Sequence, residues 1–298
     1  MNRVLSATLV AVATGAGIAA SAEMLHGREK HFPLAEATDR FLYLRSGRTA
    51  DRLALTFDSL VADVYWIRTI QHYGRDYKNR DRTGRFELLE PLLDITTTLD
   101  PHFLIAYRFG AIFLSLSPPD GPGRPDQAIA LLEKGLAANP TRWQLAHDLA
   151  FTHYLYTGDY QAATGWFRKA MAMPGAPGWI GPLAATTAAS GGDRAGARKM
   201  LAELLTAEEP YIRRAAERTL AQLDALDRID EVRTRIDLFR SRTGHDPSGW
   251  PEMIAAGVIP GPPVDPTGVP FTYDAASKAA AFGPTSPLLP LPPMLRPK

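Results

Sequence analysis

Apolar residues recur along most of the chain at the spacing of an amphipathic α-helix. Between residues 51 and 73 they follow a period near 3.6 residues, which predicts one long helix that ends at Gly74. We interpret residues 51–76 as a capping helix. From residue 84 to residue 228 successive helical segments alternate with breaks that contain Pro, Gly or Asp. The pattern therefore predicts a mainly α-helical protein built from helical hairpins.

Small and large residues repeat at spacings of four and three residues in the second helix of each predicted hairpin, and a proline follows four or five residues later in three of them. A small residue lets two helices approach, a larger apolar residue fills the core, and proline blocks continuation of the helix. The first helices supply small residues at Gly110, Ala150 and Ala184. The second helices supply four sets: Leu89, Leu93, Thr96 and Pro101; Ala128, Leu132, Gly135 and Pro140; Ala163, Phe167, Ala170 and Pro174; and Ala197, Leu201 and Leu204.

Residues 86–206 resemble tetratricopeptide repeats, whose second helix carries alanine, an aromatic residue, alanine and proline at this spacing. The unit from Leu149 to Ala170, followed by Pro174, matches best. The resemblance implies a right-handed solenoid whose concave face, lined by first helices, binds an extended peptide or a helix of a protein partner. A generic helical-hairpin solenoid is the alternative. The partner-binding residues expected on the first helices are Tyr107, Arg108, Gln144, His147 and His153.

The composition shifts towards Pro and Gly after Pro247. Within a predicted module of residues 229–283, the segment 232–283 resembles the C-terminal part of type II secretion major pseudopilins. The motifs are Thr243-Gly244 at a helix end and Asp265-Pro266-Thr267-Gly268 before an alternating strand that contains Phe271 and Tyr273. The resemblance implies a short helix and a β-hairpin, with residues 278–282 as the second strand. Residues 284–298 are predicted to be an extended, polyproline-like tail that a partner could bind.

The N-terminal segment is typical of export. Arg3 precedes an uncharged run over residues 4–20, and Ala20-Ser21-Ala22 offers a small-x-small cleavage site. Residues 1–22 are therefore predicted to be a signal peptide, followed by an extended lead-in over 23–50. The alternative is an inner-membrane anchor, because residues 4–25 contain only one charge, at Glu23, and approach the length of a membrane span. Both interpretations predict a protein that is periplasmic or that faces the periplasm.

The composition and the absent motifs exclude several classes of partner and of chemical site. The 33 Lys and Arg residues balance 32 Asp and Glu residues, so no basic surplus points to a nucleic-acid partner. The chain has no Cys, which excludes disulfides, thiolate nucleophiles and Cys-ligated metals. No Walker A, dinucleotide, Gly-x-Ser-x-Gly or His-Glu-x-x-His motif occurs. We therefore expect no enzyme activity, no catalytic residues, no cofactor and no metal.

These features together predict an exported scaffold or adaptor that binds proteins in the bacterial cell envelope. The pseudopilin-like module suggests a connection with secretion, pilus or transport machinery, by analogy alone. The alternative function is that of a periplasmic carrier, which would hold a lipid or another apolar ligand inside the helical solenoid.

Overall fold

The computed structural model describes residues 14–24, 27, 47–54, 56–79, 83–274, 276–292 and 295. Over these residues the protein is mainly helical, with a small two-stranded antiparallel sheet in its C-terminal part. The prediction of the fold class is confirmed at this level. The chain divides into two compact units between Leu99 and Asp100. This boundary lies inside the predicted repeat region of 84–228.

Most of the predicted signal segment and of the lead-in lies outside the described residues, which include helix α1 over 14–24. Among the residues that the structure describes, no helix combines the length and the apolarity that crossing a membrane requires.

The first unit contains α2 (Gly47–Ala54), α3 (Asp58–Lys78) and α4 (Leu89–Leu99), with α3 packed along α4. The prediction of one helix over 51–73 was wrong. Thr56 has a φ of 92°, which an α-helix does not use, and it separates α2 from α3.

Helix α3 continues past Gly74, where the sequence predicts its end. The ring of Tyr73 lies 6.0 Å from that of Tyr77 and 5.6 Å from that of Phe86. The buried carboxylate of Asp76 accepts a hydrogen bond of 2.6 Å from the backbone N–H of Phe86. This packing outweighs the cost of about 1 kcal/mol of a glycine inside a helix.

The second unit begins with a series of helices that pack in chain order, each against the next. Helices α5 and α7 also contact each other, as do α9 and α11. Asp159 and Asp193 cap α8 and α10 by accepting hydrogen bonds from backbone N–H groups in the first turn. The series consists of α5 (Leu104–Ser115), α6 (Pro125–Ala138), α7 (Trp143–Thr152) with a π-helical turn (His153–Thr157), α8 (Tyr160–Met171), α9 (Ile180–Ser190), α10 (Arg194–Leu204) and α11 (Pro210–Thr243).

The repeated small and apolar positions form much of the core of each unit: the first set, apart from its proline, lies in α4 of the first unit, and the other three lie in the second unit. Apart from Leu204 and the prolines, every residue of the four sets is buried, and so are the small residues of the first helices. Gly135 of α6 lies directly against the ring of Tyr107 of α5, since a Cβ at this position would lie 2.7 Å from a ring carbon. The hairpin α5–α6 therefore depends on the missing side chain of Gly135.

An arginine–aspartate network joins α10 to α11. Arg194 Nη1 donates to Asp227 at 2.5 Å and to Asp230 at 2.6 Å, and Arg198 pairs with Asp224 and Asp227. Burial disfavours ionisation of Asp227, but the hydrogen bonds and charges of Arg198 and Arg194 outweigh this effect and lower its pKa. The network fixes α10 along the long helix α11.

The C-terminal module contains α12 (Trp250–Ala255), β1 (Thr272–Asp274) and β2 (Ala279–Ala281). The strands pair antiparallel, with Tyr273 opposite Ala280, so the prediction of a short helix and a β-hairpin is confirmed. The indole N–H of Trp250 donates to the backbone oxygen of Phe271 at 2.8 Å. Trp250 and Phe271 share a core with Phe239 near the end of α11.

The contact between Gly135 and Tyr107 leads to a prediction for stability. The change Gly135→Ala is expected to lower the free energy of unfolding by about 1–3 kcal/mol, because the new methyl group overpacks a buried ring. Urea unfolding measures this change.

Gly165→Ala on α8 is the matched control. A Cβ at Gly165 would meet nothing within 4 Å, so this change is expected to stabilise the protein by about 0.5–1 kcal/mol through helix propensity alone. An equal gain from Gly135→Ala would contradict the close approach of α5 and α6.

Candidate functional site

An exposed apolar stripe runs along α5. Ile105, Phe109 and Ile112 are 53%, 50% and 49% exposed, and their spacing of four and three residues places them on one side of the helix. The other side of α5 is buried and contains Ala106 and Leu114. A helix with a second apolar side that faces solvent is typical of an interaction surface.

Helix α7 presents a parallel series of partly or fully exposed positions beside α5. Gln144, Asp148, Phe151 and Leu155 follow one another at intervals of four, three and four residues. Leu155, which lies in the π-helical turn after α7, is 58% exposed. We call the surface formed by the α5 stripe and this α7 series the α5–α7 face.

One ion pair joins the two sides of the α5–α7 face. Arg108 Nε donates to Asp148 Oδ2 at 2.6 Å, and Arg108 Nη2 donates to Asp148 Oδ1 at 3.4 Å. The Arg108 side chain is 42% exposed and that of Asp148 is 18% exposed. The pair therefore holds α5 and α7 in register and places one charged patch among the apolar side chains.

His147 lies behind this pair, inside an aromatic cluster. Its Nδ1 atom is 3.0 Å from Asp148 Oδ1, so Asp148 contacts both Arg108 and His147. The ring centroids of Phe151, Trp179, Phe167 and Trp143 lie 4.7, 5.4, 5.8 and 5.9 Å from that of His147. These rings leave the His147 side chain only 13% exposed, so it supports Asp148 from within the aromatic cluster.

The structure distributes the five predicted partner-binding residues unevenly. Arg108, Gln144, His147 and His153 are partly exposed, whereas Tyr107 is completely buried against Gly135. Tyr107 therefore contacts this chain's own helices. The Oε1 atom of Gln144 is buried and accepts no hydrogen bond from any described residue.

Sequence reasoning missed the apolar members of the face. Large apolar side chains are usually buried in a core, so the sequence favoured polar and charged residues as the partner-binding candidates. The apolar residues overlooked in this way are Ile105, Phe109, Ile112 and Leu155. The available signal was the excess of large apolar residues in α5, which are too many for one buried side of a 12-residue helix.

No group of three or more metal-binding side chains comes together anywhere in the described part of the chain. Comparison of the chain with protein-family models, curated protein sequences and solved structures gives no match.

The ion pair of the α5–α7 face can be tested by a double-mutant cycle with Arg108→Met, Asp148→Asn and the combined variant. We expect a coupling energy of about 0.2–1 kcal/mol, which falls with added salt because both groups reach solvent. Urea unfolding at low and high salt measures it. Strictly additive effects of the two changes would show that the pair does not hold α5 to α7.

Proposed function

We propose that this chain is an exported scaffold that binds a polypeptide partner on the α5–α7 face. The observation that carries the proposal is the exposed stripe of Ile105, Phe109 and Ile112 beside the Arg108–Asp148 pair. Solvent exposure of these side chains is unfavourable, and covering them would recover about 25 cal/mol for each Å² of apolar surface.

The scaffold we propose is a tetratricopeptide-like, right-handed solenoid, and two features support its stacked helical hairpins. Helices α5 to α10 form three consecutive pairs that pack in chain order. The small residues of the repeat, such as Ala128, Ala163 and Ala197, are completely buried where helices approach each other. In a solenoid of this type the first helices α5 and α7 line one face, and this face binds partner segments.

The shape and the charge of the face favour a polypeptide over a small molecule. The α5 stripe from Ile105 to Ile112 is about 10 Å long at 1.5 Å per residue, which suits the apolar side of a helix. Arg108 and Asp148 add a cation and an anion next to the stripe. Protein interfaces combine apolar side chains with a smaller number of hydrogen-bonding groups, and Arg is enriched in them.

Export of this scaffold rests on the uncharged run over residues 4–20 and on the Ala20-Ser21-Ala22 site. The pseudopilin-like module of 229–283 links the scaffold by analogy to secretion, pilus or transport machinery. We therefore place the partner in the cell envelope.

Export predicts a specific N-terminus. N-terminal sequencing of protein from the envelope fraction is expected to begin at Glu23. Ala22→Leu is expected to block this processing, because signal cleavage requires a small residue at that position, whereas Ser21→Leu is the matched control and leaves it intact. Protein with intact Met1 in the membrane fraction would identify the N-terminal segment as a membrane anchor. Protein with intact Met1 in the cytoplasm would contradict export.

Partner binding can be tested by photo-crosslinking in cells. Benzoylphenylalanine at Phe109 is expected to capture a protein, and Ile112→Asp is expected to lower that capture at least about tenfold through loss of apolar contact. Benzoylphenylalanine at Tyr211, which is also 50% exposed but lies on α11, is the control position.

Mass spectrometry of the adducts separates the outcomes of this experiment. A single protein captured at Phe109 and not at Tyr211 supports the scaffold. Lipid adducts alone at Phe109 would favour the carrier function. Equal capture at both positions would contradict a specific α5–α7 face.

A further inference from the structure

The chain's own tail lies against helix α11. Leu288, Leu291 and Leu295 are 4%, 7% and 6% exposed, although the segment 284–295 is rich in proline. Leu291 and Leu295 belong to the buried cluster that contains the alanines of α9 together with Leu223 and Leu226 of α11. Leu291 and Leu295 therefore pack with α9 and α11, whereas Leu288 belongs to the core of the C-terminal module.

Helix α11 binds the backbone of the tail through side-chain donors. Gln222 Nε2 donates to the backbone oxygen of Leu288 at 2.7 Å, and that of Pro290 lies 3.5 Å away. Arg218 Nη2 donates to the backbone oxygen of Leu289 at 2.8 Å. Gln222 is only 1% exposed, so it lies beneath the tail. These hydrogen bonds hold the backbone of the tail and are independent of its side chains.

The backbone N–H groups of the tail, in contrast, bond within the tail. Leu288 N donates to Ser286 Oγ, Leu289 N donates to the backbone oxygen of Ser286, and Leu295 N donates to that of Pro292. The tail is therefore a succession of turns that carbonyl oxygens and leucine side chains hold against α11. The prediction of an extended, polyproline-like tail was wrong over the described residues of this segment.

The start of the tail is fixed by the buried carboxylate of Asp265. Ser286 Oγ donates to Asp265 Oδ2 at 2.5 Å, while Thr267 and Val269 donate to Asp265 Oδ1. Burial raises the pKa of Asp265, but the hydrogen bonds from Ser286, Thr267 and Val269 outweigh it and leave the pKa below its ordinary value. A charged Asp265 at neutral pH thus holds Ser286 next to the groove.

We propose that the α9–α11 groove is a binding site for segments that contain leucine and proline and form turns, and that residues 286–292 and 295 occupy it in cis. A segment of another polypeptide with the same leucine spacing exchanges with the tail. This site is separate from the α5–α7 face, and its test is independent of the proposed function.

The covalent link explains why the cis segment dominates. A short connection gives the tail an effective concentration in the millimolar range at its own groove, so a free segment at micromolar concentration competes poorly. Weakening the tail should therefore reveal the site to a free peptide.

The test uses the full-length chain and a fluorescent peptide with the sequence of residues 284–298. The variant Leu291→Ser/Leu295→Ser weakens the cis tail and leaves every residue of α9 and α11 unchanged. Fluorescence anisotropy is expected to show binding of the peptide to this variant at least about tenfold tighter than to the wild-type chain. A peptide with serine at both leucine positions is the control and is expected to bind at least about tenfold more weakly than the unchanged peptide.

Further changes in α11 identify the site. Added to the serine variant, Gln222→Met or Arg218→Met is expected to weaken peptide binding about three- to tenfold, because each change removes a donor to a tail carbonyl. Arg214→Met is the matched control, since Arg214 is an exposed arginine on the same helix one turn before Arg218, and it is expected to leave the affinity unchanged.

A second form of the protein keeps the wild-type sequence of the tail during folding, so that a folding defect of the serine variant does not decide the test. A protease site inserted between the exposed residues Pro284 and Thr285 allows the tail to be cut after the chain has folded. The cut chain is expected to exchange its tail for the labelled peptide. Failure to exchange, loss of the helical circular-dichroism signal on release of the tail, or equal binding by wild-type and cut chains would each overturn the proposal.

Discussion

The close approach of neighbouring helices is the constraint on which the rest of the second unit depends. Gly135 has no side chain where the ring of Tyr107 lies, and Ala128, Ala163 and Ala197 are completely buried. Larger residues at such positions would push the helices apart and open voids that cost several kcal/mol. Because α5 and α7 are held this closely, Arg108 reaches Asp148, and the α5–α7 face becomes one surface.

The sequence predicted those features whose signals are local. Periodic apolar residues and the prolines after them predict the helices of the second unit, and Pro266 with Gly268 predicts the turn before β1. The break at Thr56 and the continuation of α3 through Gly74 were not predictable in this way. They depend on contacts between residues distant in sequence, such as that of Asp76 with Phe86.

The candidate site, too, was predicted only where residues close together in the sequence determine its structure. Helical spacing placed Arg108, Gln144, His147 and His153 on first helices, but spacing alone could not show that Tyr107 turns inwards against Gly135. Nor could it show that Ile105 and Phe109 stay in solvent, because an apolar side chain gives the same signal in a core and on an interface. Only the packing of α5 against α6 and α7 shows which apolar side chains of α5 are in the core and which are on the surface.

The position of the tail on α11 also affects the order in which the chain can complete its fold. Gln222 precedes Leu288 by 66 residues, and the two meet only after everything between them has been synthesised. During that interval Leu223 and Leu226 of α11 lack Leu291 and Leu295, the last two members of their buried cluster. Long-range contacts of this kind slow folding and expose apolar surface to aggregation. A nascent chain at this stage would be a natural substrate for a chaperone.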